Sequence, residues 1–464
     1  MSSGPLKVAI VGHTNTGKTS LVRTLTHDRD FGEVRDESGT TRRIARGELV
    51  AADGARIQLN DSPGLENAPA LLDWLDGVSG ERHDGPARIR RFLDDSDAVE
   101  RFDHEARVLE LMLAMDVALY VIDAREPVLE KYQDELAVLG LCARPIVAVL
   151  NFTASDSSRE AQWRDALARV RLHTVLAFDA AVRDPATELA LFEKLKSQLD
   201  HHADVLSAWL GHRRAEERQR RQAALEAIAA MLLDVAACVR EIEAGSETER
   251  QQVWRELRAT IHQREQACVD TLLELYRFGR EDYDEAELPV SDGRWHADPF
   301  DPETLRHYGL RASSHAAAGA GGGALVDVAT GGLSLGAGML AGAALGAGTG
   351  LVRSAGSRLI DRLRGRERIQ VSDAVARLMV ARSVELLAAL MHRGHGSPDR
   401  IRARVVAALD KRRLPRAVRR ARHHPDWSAL NGGGVSGSRS TALAELAAEL
   451  NDSLESLAWP KSGA

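Results

Sequence analysis

From the N-terminus to about residue 200 the chain alternates short apolar runs with stretches whose apolar residues recur every three or four places. Leu6-Lys7-Val8-Ala9-Ile10-Val11 reads as a short buried strand, and Ser20 to Leu25 opens a helix. Arg56 to Asp61, Val117 to Asp123 and Pro145 to Leu150 repeat the strand pattern, and Gln162 to Arg171 repeats the amphipathic helix. Strands apolar on both faces, separated by helices, predict a mostly parallel sheet with helices on both sides, finishing with a helix near Pro185 to Leu199. One segment breaks the rhythm. Glu66 to Arg101 is long, charged and rich in turn residues (Gly77, Gly80, Gly85-Pro86), and reads as an insertion that responds to a nearby site or contacts a partner. Beyond about residue 205 the periodicity is helical only. Arg213 to Glu243 and Glu247 to Phe278, separated by Gly245-Ser246, predict an antiparallel helical hairpin with coiled-coil character. Residues 280–310, acidic and carrying Pro289, Pro299 and Pro302, read as a loop; Gln370 to Arg393 and Ser440 to Leu457 supply further helices.

Candidate chemistry sits at the strand ends. Gly12-His13-Thr14-Asn15-Thr16-Gly17-Lys18-Thr19 fits G-x-x-x-x-G-K-[ST] between the first strand and the first helix. Such a loop cradles phosphates on its backbone N–H groups, its Lys reaches the β- and γ-oxygens, and its Ser/Thr hydroxyl holds Mg²⁺. Gly39-Thr40-Thr41-Arg42 and Asp61-Ser62-Pro63-Gly64 follow in order, adding a second hydroxyl and a carboxylate, the hard oxygen donors that Mg²⁺ prefers. The three together mark a nucleotide-binding switch domain.

Gly12 to Thr19, Val34 to Arg42 and Asp61 to Leu65 resemble the G1, G2 and G3 motifs of the Era/TrmE/EngA-like (TRAFAC class) bacterial GTPases, over roughly residues 5–200. The remainder is similar to an uncharacterised helical C-terminal domain carried by one branch of them. The resemblance implies GTP/GDP as ligand and a set of contacts from His13, Thr14, Asn15, Thr16, Gly17, Lys18, Thr19 and Ser20 in the first loop. It implies Mg²⁺ held by Thr19, Thr41 and Asp61, with Thr40 as the alternative should the register differ by one. Lys18, Thr41 and the Gly64 N–H would act on the γ-phosphate, Thr41 and Gly64 letting go when it leaves. Two departures matter. Leu65 stands where Ras-like enzymes keep a water-orienting Gln, so catalysis needs another means; Glu66 is a carboxylate nearby and otherwise a solvated residue. Asn15 matches the residue that binds K⁺ in TrmE-like enzymes, where K⁺ stands in for an arginine finger and a homodimer forms across the nucleotide face; the alternative is that Asn15 bonds its own loop. The base-reading N-K-x-D is reduced to Asn151-Phe152-Thr153-Ala154, which leaves Asn151 alone. Asp179, in the position of the G5 loop, or Asp156 can supply the lost carboxylate; otherwise base preference is relaxed.

Composition narrows the remainder. At 464 residues, 44% hydrophobic and 4% aromatic, two or three domains with Ala/Leu-rich helix packing are expected. A net charge of −7 gives no general pull toward nucleic acid. Cys142, Cys238 and Cys268 lack metal-site spacing and read as buried thiols of a reduced cytosol. The first strand begins almost at once, leaving no signal peptide and predicting a cytoplasmic protein. Gly338, Gly342, Gly346 and Gly350, preceded by Gly332 and Gly336, form a glycine zipper, and Gly331 to Val352 is uncharged and followed by an Arg-rich flank. This pattern reads two ways: as a hairpin, Ala316 to Val328 and Leu333 to Val352, inserted in or attached to the inner membrane, or as a close-packed soluble pair. Arg400 to Arg422 is basic and suits lipid headgroups, RNA or acidic loops of the same chain; without aromatic residues for stacking, RNA takes a lower place. The expected organisation is residues 1–203 a P-loop GTPase domain, 204–312 a helical hairpin with an acidic Pro-containing loop, 313–353 the Gly-rich zipper, and 354–464 a basic helical region. The expected function is a K⁺-activated, Mg²⁺-dependent GTPase coupled to its helical domain and, through 313–353, to a membrane or an integral-membrane partner. The alternatives are a non-hydrolysing nucleotide sensor or scaffold, and a membrane assembly or remodelling protein of relaxed base specificity.

Overall fold

The computed structural model describes residues 4–26, 31, 45–77, 84–153, 155, 157–180, 185–243, 246–276, 289–291, 294–295, 297–308, 310, 326–328, 366–391, 414–432 and 436–457. Two compact units divide the chain, Met1–Arg218 and Gln219–Ala464.

In the first unit β1 (Leu6–Val11), β2 (Ala45–Val50), β3 (Arg56–Asp61), β4 (Val117–Asp123), β5 (Ile146–Asn151) and β6 (Val175–Ala177) form one sheet in the order β2-β3-β1-β4-β5-β6. All neighbours are parallel except β2, which pairs antiparallel with β3 through Ala45↔Asp61 to Val50↔Arg56. Successive side chains of a strand point to opposite faces, and here each face has its own core. Ala9, Val11, Ala118, Tyr120, Ile122, Ala148 and Leu150 pack on one side. Their alternates Val8, Ile10, Leu119, Val121, Val147 and Val149 pack on the other. The first face is covered by α2 (Ala68–Gly77), α3 (Gly85–Asp94), α4 (Ser96–Arg101), α5 (Asp103–Ala114), α6 (Glu130–Gly140) and α7 (Glu160–Arg169). The second is covered by α1 (Lys18–Thr26), α8 (Pro185–Gln198) and the opening turns of α9 (Ala203–Ala237). A P-loop α/β domain with helices on both faces is therefore the architecture of this half.

The segment read as turn-rich is largely helical where described. Asp84 and Asp95 cap α3 and α4 by accepting from the N–H groups of Ala87 and Ala98, and Pro86 sits in the first turn of α3 where a missing N–H costs nothing. Gly77 closes α2 and Gly85 opens α3, and the apolar residues of these two helices, Leu71, Leu75, Ile89 and Phe92, are buried.

The second unit is helical and carries strands that the helical periodicity concealed. α9 stops at Ala237 rather than continuing to Glu243, because Arg240–Glu243 is β7, with Ile242 its buried position. β7 pairs antiparallel with β11 (Arg366–Val371), and β11 in turn with β10 (Val326–Val328). β11 alternates exposed and covered positions, and buried Glu367 accepts from Arg250 at 2.9 Å. The helix expected from Gln370 accordingly begins at Asp373, and the helix expected to end at Val328 gives way to a strand. Before β10 the acidic loop contains the two-stranded hairpin β8 (Val290–Ser291) and β9 (Arg294–Trp295), then α11 (Pro302–His307).

One core joins α10 (Glu247–Leu275), the last turns of α9, α12 (Asp373–Met391) and a final helix over Ser438–Ser456. α12 is buried on nearly every side, charges included: Arg382 pairs with Glu265 of α10, donates to the Ala297 carbonyl at 3.0 Å and lies over Trp295, while Glu385 accepts from Tyr308 at 2.6 Å. Cys142, Cys238 and Cys268 are free and buried. No helix among the described residues is long and apolar enough to cross a membrane. The zipper glycines and Arg400 to Arg413 lie outside the described residues.

Candidate functional site

Parallel strands put their carboxyl ends at one edge of a sheet, where loops can converge on a ligand. At that edge lie Gly12 after β1, Asp61 closing β3, Asp123 closing β4 and Asn151 closing β5. The loop from Gly12 to Gly17 turns through positive φ at Gly12 (142°), Asn15 (65°) and Gly17 (89°) before α1 begins at Lys18. Successive N–H groups in such a turn face one concavity and favour an anion, reinforced by the helix N-terminus. Gly17 has no alternative: a Cβ there would collide with the Asn151 amide.

Lys18 folds back over this loop and donates to the carbonyls of Gly12 (3.2 Å) and His13 (2.7 Å). Burial holds its ammonium below the ordinary lysine range, opposed by the carboxylates of Asp61 and Glu135. Thr19 donates to Asp61 Oδ2 at 2.6 Å, and burial raises the Asp61 carboxyl while that hydrogen bond and the Lys18 charge lower it. Asp61 Oδ1 is buried without a hydrogen-bond partner. A buried carboxylate oxygen left over beside a threonine hydroxyl is a donor set that fits a small hard cation. Asn15 and Ser20 are exposed, and no hydrogen bond ties the Asn15 side chain to its own loop among the described residues. Thr16 is buried and donates to the His13 carbonyl.

The motif after β3 is stitched to the phosphate loop. His13 and Leu65 form a parallel bridge, the Leu65 N–H reaches the Gly12 carbonyl, and Gly64 packs so closely on Thr14 that a side chain there would clash. Leu65 is fully buried in the first core, so the position that holds a Gln in Ras-like enzymes turns away from solvent. Next to it, the buried carboxylate of Glu105 accepts from the N–H groups of Glu66 (2.9 Å) and Asn67 (2.7 Å), tying the start of this segment to α5. Glu66 itself is exposed. Thr40, Thr41 and Asp156 lie outside the described residues.

Sequence reasoning passed over the shell behind the loop. His13 turns its ring to α6, with Nδ1 2.7 Å from Glu135 and Nε2 2.9 Å from the Lys131 ammonium, and Tyr120 donates to the other oxygen of Glu135 at 2.7 Å. The tautomer that satisfies both contacts carries its proton on Nδ1. Burial pushes the Glu135 carboxyl up, with Tyr120 and His13 acting against it. A histidine inside a phosphate loop was the signal for this network; its partners, more than a hundred residues away, had none.

At the end of β5 Asn151 ties several backbone segments together. Its amide donates to the Thr16 carbonyl at 3.0 Å, and its carbonyl accepts from Phe152 (2.9 Å) and from Ala180 (2.8 Å). It thus joins the phosphate loop to the loop after β6, which contains Asp179. Asp179 lies near enough to Arg125 to add to the rise of its pKa, whose first cause is the hydrogen bond to Asp123.

Residues 7–152 match the family model described as 50S ribosome-binding GTPase, and residues 164–449 match that described as Domain of unknown function (DUF3482). Among solved structures, Era from Aquifex aeolicus bound to GDP·AlF4⁻ is 20% identical, with 38% of this chain and 50% of that one covered and a TM-score of 0.26. The elongation factor SelB from Methanococcus maripaludis with GppNHp is 18% identical, covering 39% of this chain and 31% of that, at a TM-score of 0.25. The G domain of the T. maritima FeoB iron transporter is 17% identical, covering 43% and 98%, at a TM-score of 0.23. The chain spans about half the length of the Era structures it matches. No curated protein matches it. The first model gives the N-terminal unit as a P-loop GTPase domain, and the second covers more than half of the chain, which therefore belongs to the DUF3482 family.

Proposed function

We propose that this protein is a molecular switch that binds GTP and hydrolyses it with Mg²⁺, passing nucleotide state to its helical C-terminal region. One observation carries the reading: Thr19 and Asp61 meet at 2.6 Å beside the buried Lys18, leaving Asp61 Oδ1 unpaired. Thr19 and Asp61 would hold the ion, joined by Thr41. The Era structure determined with MgGDPNP is consistent with that choice of cofactor. Bound there, Mg²⁺ neutralises charge on the phosphate oxygens. Lys18 binds the phosphates, the first loop orients them through its N–H groups, and Gly64 senses the terminal one from its place against Thr14. Movement of Gly64 reaches α5 through Leu65 and the Glu105 clasp.

Because Leu65 is buried, the water-orienting role falls to other groups. An exposed Asn15 amide oxygen without a partner in its own loop suits K⁺, which supplies positive charge near the γ-phosphate, and a homodimer formed across the nucleotide face would complete that site. Asp179, beside Arg125, is the carboxylate proposed to read the guanine edge. Membrane attachment through 313–353, directly or through an integral-membrane partner, remains a proposal resting on the glycine spacing alone.

GTP and ATP hydrolysis, compared in KCl and NaCl with Lys18→Ala as the blank, tests the reading. Turnover of GTP in KCl only is expected, with none from the variant. Nucleotide bound without turnover in either salt would make the protein a sensor. Equal turnover of both nucleotides would remove Asp179 from the reading of guanine.

A further inference from the structure

Phe152 occupies the position of the lysine in N-K-x-D, and its surroundings are built for a ring. Its backbone lies at φ 59°, a conformation that bulky residues adopt rarely. The strain is held in place on both sides, by the Asn151 carbonyl accepting its N–H and by its own carbonyl accepting from Ser155. The ring reaches the phosphate loop: a Cβ on Gly17 would stand 3.4 Å from Phe152 Cζ. One face is covered by Arg125, whose guanidinium carbon lies 4.0 Å from the ring centroid. That guanidinium is fixed in turn by Asp123, which accepts from Arg125 Nε at 2.9 Å and from Nη2 at 2.6 Å. Phe152 as a whole is half-buried and keeps some contact with solvent.

We propose that Phe152, backed by Arg125 and Asp123, is the platform on which the nucleotide base stacks, replacing the lost lysine and aspartate as the source of base affinity. This rests on the nucleotide-binding reading above and deepens it. An aromatic face next to the phosphate loop holds a purine through its π-surface, whatever the pattern of groups on the purine edge. A cation behind the ring polarises it and keeps it from swinging away. Stacking therefore supplies affinity common to all purines, and discrimination between them falls to a separate edge contact.

The test is equilibrium binding of GDP, IDP, ADP and inorganic tripolyphosphate to the full chain, for the wild type, Phe152→Ala and Phe152→Asn. Asparagine suits the left-handed backbone and removes the ring without adding strain. Both variants are expected to lose about tenfold to a hundredfold in affinity for each of the three nucleotides, by a common factor, with tripolyphosphate unchanged. Tripolyphosphate confirms that the phosphate loop is intact. Wild-type affinity for GDP in Phe152→Asn would overturn the platform and leave the nucleotide-binding reading standing. A wild type that binds no nucleotide would overturn both.

Discussion

Asn151 shows how one short side chain can fix the relation between two loops. It makes three hydrogen bonds to the backbone at Thr16, Phe152 and Ala180, and it is almost wholly buried. Replacement by alanine leaves the buried Thr16 carbonyl and Ala180 N–H without partners, each worth about 1–2 kcal/mol. Asn151→Ala is therefore expected to lower the stability of the N-terminal unit by about 2–4 kcal/mol in denaturant unfolding, and to weaken GDP more than tripolyphosphate. Equal stability of variant and wild type would mean that water replaces the amide at no cost. That Lys18, Thr19, Asp61 and Gly64 would come together was legible in the sequence because G-x-x-x-x-G-K-[ST] and D-x-x-G place particular residue types at fixed spacing. Glu105 and Glu135 were not, since a lone glutamate in an amphipathic helix looks the same whether it faces solvent or a buried loop. Phe152 stood in plain view as a departure from a pattern; its meaning came only with Arg125 over the ring.

Elements were legible where one period ruled. β1, β4 and β5 announced themselves as mainly apolar runs, and each feeds two cores from alternate positions, whereas β3 gives Ile57 and Leu59 to one core only. β7 and β11 were hidden because charged side chains fill their exposed positions, and Arg-Glu-Ile-Glu continues a helical Arg/Glu pattern without a visible break. α12 was expected as a helix and is one; what the sequence did not show is that it is buried on nearly every side. Its Arg382 and Glu265 form an ion pair inside the core. Burial pushes the Glu265 carboxyl up and the Arg382 charge brings it back down, so removing either partner strands the other. Arg382→Ala is expected to destabilise the C-terminal unit by about 3–5 kcal/mol. The double change Arg382→Met with Glu265→Leu is expected to recover most of that loss. A measured cost below about 1 kcal/mol for the single change would mean that water enters and solvates Glu265.

At the scale of the whole chain, the two units share α9, which contributes Val205 to Leu210 to one core and Ala224 to Ala237 to the other. Composition indicated more than one domain, and the phosphate loop indicated where the first begins; inside α9 the composition turns from Arg/Glu-rich to Ala/Leu-rich just past Arg218 while the helix runs on. In the C-terminal unit β10 and β11 run antiparallel, with Val328 opposite Ile369. Replacing residues 329–365 by a few glycines and serines therefore joins the end of β10 to the start of β11, with Arg366 three residues along the strand from Ile369, the partner of Val328. The entropy of closing a loop changes by only about 0.6 kcal/mol for each doubling of its length. The shortened chain is expected to keep the unfolding transition of its C-terminal unit, raised by about 1–2 kcal/mol; loss of that transition would make 329–365 part of the unit's own framework. The ladder thus works as a doorway with entrance and exit side by side. Whatever sequence is grafted between those strands must come home to the side it left, so a single crossing of any barrier is closed to it and only a round trip is open.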